Sequence, residues 1–169
     1  MGLLERIEQK AFLGAEFLTW LWLRMESDQA PIELEGEDSV DVAFENTMAL
    51  EAEYGEATAQ TLRGAAPGAS AEARAALLEG KIVKRAKLHL TQGEMEWTFT
   101  LRGESFDFSA IRVPAPKGLP FDENVSLRLE ATERLFALVD KLYAAFLAIR
   151  LDADGWAKEL AGLRQWAGE

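Results

Sequence analysis

The feature that most constrains this fold is a helical stretch, residues 12–25, that is apolar on nearly every side. A thin polar stripe of Glu16, Thr19 and Arg24 is all that interrupts it. A helix of this kind has to be buried on most sides, either in the core of its own chain or against another subunit. Both alternatives stay open from the sequence. For the second one, the predicted interface consists of Phe12, Phe17, Trp20 and Trp22.

The middle of the chain, residues 31–113, has the sequence pattern of an antiparallel sheet. Val40, Val42 and Phe44 alternate with Asp41 and Ala43, which is the period of a half-buried strand. Further strands are predicted over 47–53, 56–63 and around residues 106–108.

Sequence patterns typical of helices occur between the predicted strands and after them. Ser70 is the predicted N-cap of a short helix that Gly80 ends, and Asp154 is the predicted cap of a last helix. Residues 127–151, which lie between these two helices, carry apolar side chains at helical spacing. The order of an N-terminal helix (3–26), a sheet region (31–113) and C-terminal helices (125–167) predicts one α+β domain: an antiparallel β-sheet packed with a Trp-rich N-terminal helix and C-terminal helices.

The clearest local prediction is a β-hairpin with strands 81–90 and 94–102 joined by residues 91–93. Alternation places the apolar residues of both strands on one face. The predicted register places Leu88 near Trp97, His89 opposite Glu96, and Val83 opposite Arg102.

Composition narrows the functional classes. The chain has 169 residues, a formal net charge of −11 and no cysteine, so disulfides, thiolate metal sites and a cysteine nucleophile are excluded. The first residues lack the pattern of a secretory signal, and the apolar stretch is too short to span a bilayer. We therefore expect a cytoplasmic protein without membrane association.

One segment of the acidic chain turns basic. Lys81, Lys84, Arg85 and Lys87 fall within seven residues that contain no carboxylate, and Arg102 joins them on the second hairpin strand. Clustered cations repel one another, so they require either nearby acids or an anionic partner such as a phosphate backbone. The sequence leaves both alternatives open: cross-strand neutralisation by glutamates, or a basic strip that binds nucleic acid.

Support for catalysis is weak. The single histidine, His89, is predicted to be a polar strand residue, and no cofactor-binding or nucleophile motif is present. Asp38, Asp41 and Glu45 could join a Mg²⁺ site, but 29 acidic residues make such groupings common by chance. No catalytic residue, metal site or cofactor is predicted, and a metal-dependent exonuclease is kept only as an alternative.

Two stretches resemble a known family. The run LLEGKIVKRAKL at 77–88, followed by an aromatic strand, a proline-bearing loop and an apolar helix, resembles the C-terminal part of the recombination-associated protein RdgC family. The run FLGAEFLTWLW at 12–22 is similar to a Trp-rich segment of some members. The resemblance covers residues 12–151, although the chain is much shorter than the family pattern.

The resemblance implies a dimeric, ring-like protein of the nucleoid that encircles duplex DNA without sequence preference and restrains recombinase filaments. Only the four hairpin cations, from Lys81 to Lys87, match a cationic surface. From residues and resemblance together we expect a non-enzymatic, self-associating DNA-binding protein of recombination or replication, whose contact with duplex DNA is sensitive to salt. The alternative is an acidic interaction or oligomerisation module that does not bind nucleic acid.

Overall fold

The computed structural model describes residues 10–28, 31–52, 59–64, 67–115 and 117–167. Its helices are α1 (Lys10–Asp28), α2 (Ala71–Leu78), α3 (Phe121–Leu151) and α4 (Ala153–Ala167). Its strands are β1 (Asp41–Ala52), β2 (Gln60–Arg63), β3 (Lys81–Gln92), β4 (Met95–Arg102) and β5 (Asp107–Arg112). The predicted α+β class is confirmed. The predictions for residues 3–9 and 53–58 fall outside the described part of the chain.

The five strands form one antiparallel sheet in the order β2-β1-β3-β4-β5. One face carries the alternating apolar residues and packs against the helices; Leu88, Leu90, Trp97, Phe99 and Leu101 are buried there. Polar residues of the same strands occupy the opposite, outward face. This division is the expected consequence of a two-residue period when only one face is covered.

The hairpin forms as predicted, but its register was wrong by two residues. Trp97 lies opposite Leu90 instead of Leu88, and Arg102 lies opposite Arg85 instead of Val83. The cause is the loop: Gln92 pairs with Met95, which leaves only Gly93 and Glu94 in the turn, with Gly93 at a φ of 59°. A shift of two keeps every side chain on its predicted face while changing its partner.

Helix α1 lies in the core of the single chain. Phe17, Trp20 and Trp22 are 1%, 2% and 0% exposed. Their surface is therefore not available to another subunit, which corrects the interface predicted for these three residues. The side chain of Phe12, the fourth residue of that prediction, lies outside the described part of the chain.

The polar stripe of α1 is satisfied by its neighbours. Glu16 accepts a hydrogen bond from Arg150 at 2.8 Å, and Arg24 donates to Glu159 at 3.1 Å. The Thr19 hydroxyl oxygen accepts the backbone N–H of Val83 at 2.9 Å. These contacts explain how a helix with three polar residues is buried on most sides, because each polar group has a partner in the layers that cover it.

Helix ends confirm two local predictions and correct two. The Ser70 hydroxyl accepts the N–H of Ala73 at 3.1 Å and caps α2, and Gly80 follows this helix with a φ of 79°. Asp152, not Asp154, caps α4 by accepting the N–H of Gly155 at 3.0 Å.

The other correction is the start of the long helix α3. It begins at Phe121, six residues earlier than predicted, because its first turns carry exposed residues that do not follow the apolar period of the core face. No helix in the described ranges is both long and apolar enough to cross a membrane.

Candidate nucleic-acid interface

The five predicted cations lie on β3 and β4, but three of them are neutralised by glutamates. Lys81 Nζ lies 2.9 Å from Glu79, Lys87 Nζ lies 2.7 Å from Glu45, and Lys84 forms an ion pair with Glu104. The glutamates come from the end of α2, from β1 and from the β4–β5 turn. Cross-strand and loop neutralisation, one of the two alternatives left open by the sequence, therefore applies to these lysines.

The two arginines differ from the lysines. Arg85 and Arg102 are directly opposite each other on β3 and β4, and both are exposed. On its other side Arg85 faces Ala49 of β1, which carries no charge. Neither guanidinium has an ion-pair partner within the described residues. Like charges placed directly opposite destabilise a strand pair. On β5 the carboxylate Asp107 lies opposite Arg102 but forms no ion pair with it, so a bound anion would offset the remaining repulsion.

A shallow cavity of about 450 Å³ opens at this arginine pair. Its lining residues are Thr47, Arg85, Lys87, Thr100, Arg102, Asp107 and Ser109. Three cations and three hydroxyls can donate hydrogen bonds into this space, against one carboxylate that can only accept them. Cationic and hydroxyl donors around a small cavity are the complement of a phosphate or another oxyanion.

Two further arginines extend the cationic surface across the sheet, and the sequence predictions missed both. Arg63 of β2 lies opposite Thr47, and Arg112 of β5 lies opposite Thr98; both are exposed. Arg63 lies in a predicted strand, but β2 had no predicted partner or face. We define the arginine face as Arg63, Arg85, Arg102 and Arg112 together with the cavity.

The position of Arg112 depends on a backbone irregularity. Asp107 and Ser109 point outward, so strict alternation would turn Arg112 inward. A register shift between Thr98 and Thr100, with Ala110 at a φ of 51°, restores Arg112 to the outward face. No propensity in the sequence indicates this bulge.

His89 is a polar residue of the outward face, between two carboxylates. Its Nδ1 lies 3.5 Å from Glu45 and its Nε2 lies 3.6 Å from Glu96. The hydrogen bond from Lys87 lowers the pKa of Glu45, and His89 acts in the same direction. Glu45 thus already contacts both Lys87 and His89. The described residues contain no group of three metal-ligating side chains, near Asp38 and Asp41 or elsewhere.

No protein-family model matches the chain, and no curated protein matches it significantly. The resemblance to the RdgC family stays a prediction.

Proposed function

We propose that the protein binds duplex DNA without sequence preference through the arginine face. The observation that supports this best is the facing pair Arg85 and Arg102 beside a cavity rich in hydroxyl donors. A phosphate between the two guanidinium groups would offset their mutual repulsion and accept hydrogen bonds from both. The proposal needs no chemical step and no cofactor.

The width of the face suits a stretch of backbone. Arg63 and Arg112 are four strand intervals apart in the sheet, which is about 19 Å. At about 3.4 Å of rise per nucleotide along the helix axis, that distance corresponds to roughly five to six phosphates of one strand. The net charge of −11 opposes the approach of DNA, so binding should weaken steeply as salt increases.

The side chains also indicate the mode of binding. The outward residues of β3 and β4 include no Phe, Tyr or Trp on which unpaired bases could stack. Phosphate contacts position a protein on DNA but carry no base information. The expected mode is therefore backbone contact to a duplex, with low sequence specificity.

The decisive experiment compares two double variants with equal charge changes. Arg85→Glu with Arg102→Glu alters the face, and Lys117→Glu with Lys158→Glu alters exposed cations away from it. Binding to a fluorescent 20-base-pair duplex is measured at 50 and 200 mM salt. We expect at least a tenfold loss for the face variant, with its salt slope reduced by about two, and a small loss for the control. Equal losses in the two variants, or no binding by the wild type at 50 mM salt, would refute the proposal.

A second candidate function, self-association, is favoured by exposed apolar residues on α3. Phe121 and Leu129 are 80% and 62% exposed, and Val125 and Phe136 continue the same flank at four- and seven-residue spacing. Phe136 packs against Phe108 of β5 at a ring distance of 4.8 Å. The apolar flank of α3 and the β5 edge of the sheet therefore form one continuous surface.

Pairing of this surface with a second copy would bring complementary residues together. In an antiparallel pair of two β5 strands centred between Ser109 and Ala110, Asp107 would face Arg112 of the second copy, and Phe108 would face Ile111. A symmetric dimer requires such self-complementarity. The bulge at Ala110 limits the strand ladder, so most of the buried area would come from α3.

Charge exchange tests this dimer. Asp107→Arg and Arg112→Asp should each weaken association, because each places like charges opposite one another, and the combined variant should restore it. Light scattering after size exclusion measures the mass over a range of concentrations. A wild type that stays monomeric, or a combined variant that does not recover, would exclude this interface.

A further inference from the structure

A groove lies on the other flank of α3, beside the tip of the β3–β4 hairpin. It has a volume of about 850 Å³. Met95, Leu127 and Ala131 form its apolar floor with Pro114 and Ala115, and its rim carries Glu94, Glu96, Glu130 and Arg134. We propose that this groove binds a basic amphipathic helix of another protein.

The floor of the groove is apolar, open and rigidly placed. Met95 and Leu127 are each 38% exposed and face the space from the hairpin and from α3. The Trp97 indole N–H donates to the carbonyl oxygen of Ala131 at 2.9 Å, which holds α3 against the sheet at this point. The small Ala131 side chain leaves room between Met95 and Leu127. An unbranched Met on one wall can adapt to different apolar side chains.

The rim gives the groove its charge preference. Glu94 and Glu130 have no ion-pair partner among the residues that the structure describes, and Glu96 has only His89 beside it. The one cation, Arg134, is already bonded to Glu37 at 3.1 Å and to Gln92 at 2.8 Å. Of the three carboxylates around the apolar floor, two therefore have no ion-pair partner among the described residues and the third has only His89. Lysine and arginine side chains of a partner would complete these pairs, whereas DNA and anionic lipid surfaces would be repelled.

The shape of the groove favours a helix over a strand. Leu127 and Arg134 are seven residues apart on α3, so the wall is about 10 Å long and matches two helical turns of a partner. Such a partner would insert apolar residues at positions i, i+4 and i+7. The chain segment along the other wall contains Pro114, which has no N–H to donate and so weakens any added strand.

This inference does not depend on DNA binding, because the groove is acidic and shares no residue with the arginine face. It also differs from the proposed dimer surface, which uses the opposite flank of α3. The groove can therefore be tested separately from the other two sites on the full chain, whereas the arginine face and the dimer surface share Arg112.

The probe is a synthetic 14-residue helical peptide of leucine and lysine with an apolar stripe, labelled with a fluorophore. A scrambled peptide of the same composition is the control for simple charge attraction. We expect one peptide per chain, with at least tenfold weaker binding of the scrambled peptide. Equal affinity for the two peptides, or no binding of the amphipathic peptide up to 1 mM, would overturn the proposal.

Two pairs of matched variants locate the site. Glu94→Gln, Glu96→Gln and Glu130→Gln together should reduce the affinity at least tenfold, whereas Glu33→Gln, Glu35→Gln and Glu123→Gln together should change it less than threefold. Leu127→Ser should reduce it at least fivefold, whereas Leu78→Ser, at another exposed helical leucine, should leave it unchanged.

Other outcomes have defined meanings. Equal effects of the groove and control variants would overturn the proposal. A groove variant that changes the oligomeric mass but not peptide binding would assign the groove to a second copy instead, and would also overturn it. The Arg85→Glu, Arg102→Glu variant should bind the peptide like the wild type, whether or not the DNA proposal survives.

Discussion

Helix α1 and the first half of α3 are both rich in large apolar residues, but those of α1 are buried and those of α3 are largely exposed. In α1, Phe17 packs against the rings of Phe106, Tyr143 and Phe146, and its side chain is buried in the core. In α3, Phe121 and Leu129 remain largely exposed. The difference lies in the number of covering layers. Helix α1 is covered by β3 on one side and by the C-terminal helices on others, whereas residues 121–130 of α3 include no buried residue.

Polar residues anchor both helices to other elements. Glu16, Thr19 and Arg24 of α1 are each bonded to another element, which fixes α1 in place. On α3, Arg134 and Lys141 are anchored in a comparable way, because both bond to Glu37 in the loop before β1. Apolar content alone therefore does not distinguish a buried helix from one whose apolar residues stay exposed.

The largest expected effect comes from truncating equivalent apolar side chains in the two helices. Phe17→Ala should lower the free energy of unfolding by about 3–5 kcal/mol, because it leaves a cavity in the core. Leu129→Ala should change it by less than about 0.5 kcal/mol. Urea unfolding followed by tryptophan fluorescence measures both. Similar losses in the two variants would show that the first half of α3 is buried as α1 is.

A second comparison uses glycines of two helices. A Cβ added at Gly14 of α1 would collide with the carbonyl oxygen of Gly103, whereas one added at Gly162 of α4 would meet nothing. We expect Gly14→Ala to destabilise the fold by about 1–3 kcal/mol through overpacking. Gly162→Ala should stabilise it by up to about 1 kcal/mol through helix propensity. Thermal and urea melts should therefore shift in opposite directions, and a neutral Gly14→Ala would contradict the close approach of α1 to the β4–β5 turn.

An effect of similar size is expected where α1 meets β3. Thr19→Val removes the acceptor of the Val83 N–H and leaves that buried donor unsatisfied, at a cost of about 1–3 kcal/mol. The control is Thr132→Val on α3, where the hydroxyl is only a donor to the carbonyl of Arg128 and the expected change is below about 0.5 kcal/mol. Hydrogen exchange at the Val83 amide gives an independent measurement: exchange should accelerate in Thr19→Val, and an unchanged rate would argue against this bond.

The smallest effect is a pH dependence at the contact between α3 and Glu37. Hydrogen bonds from Arg134 and Lys141 lower the pKa of Glu37 to about 2, from an ordinary value of 4.5. A carboxyl whose folded pKa is depressed adds stability above its unfolded pKa, and this contribution is lost as the pH falls from 4.5 towards 2. The melting temperature of Glu37→Gln should therefore fall less than that of the wild type between pH 5 and pH 2. The control is Glu33→Gln at an exposed glutamate, whose melting temperature should change with pH as in the wild type. Identical pH dependence of the melting temperature in all three proteins would contradict the stabilising role of Glu37.

Much of the fold could be predicted because it follows from local patterns. Two-residue alternation identified the buried face of the hairpin, and Ser70 and Gly80 marked the ends of α2. The candidate site was less predictable. The basic strip was visible in the sequence, but the partners of Lys81, Lys84 and Lys87 come from three separate elements. The facing of Arg85 and Arg102 depends on a loop that is one residue shorter than expected.

The sequence by itself determined the α+β class and which residues of each strand are apolar, because the period of a strand or helix is set by a few consecutive residues. Only the tertiary structure decided that the Trp-rich helix is core, that Arg63 and Arg112 share a face with the arginine pair, and that α3 keeps one flank exposed. Those outcomes depend on register, on a bulge and on how many layers cover each element. All three are set by contacts between residues that are distant in the chain, and such contacts leave no periodic signal in the sequence.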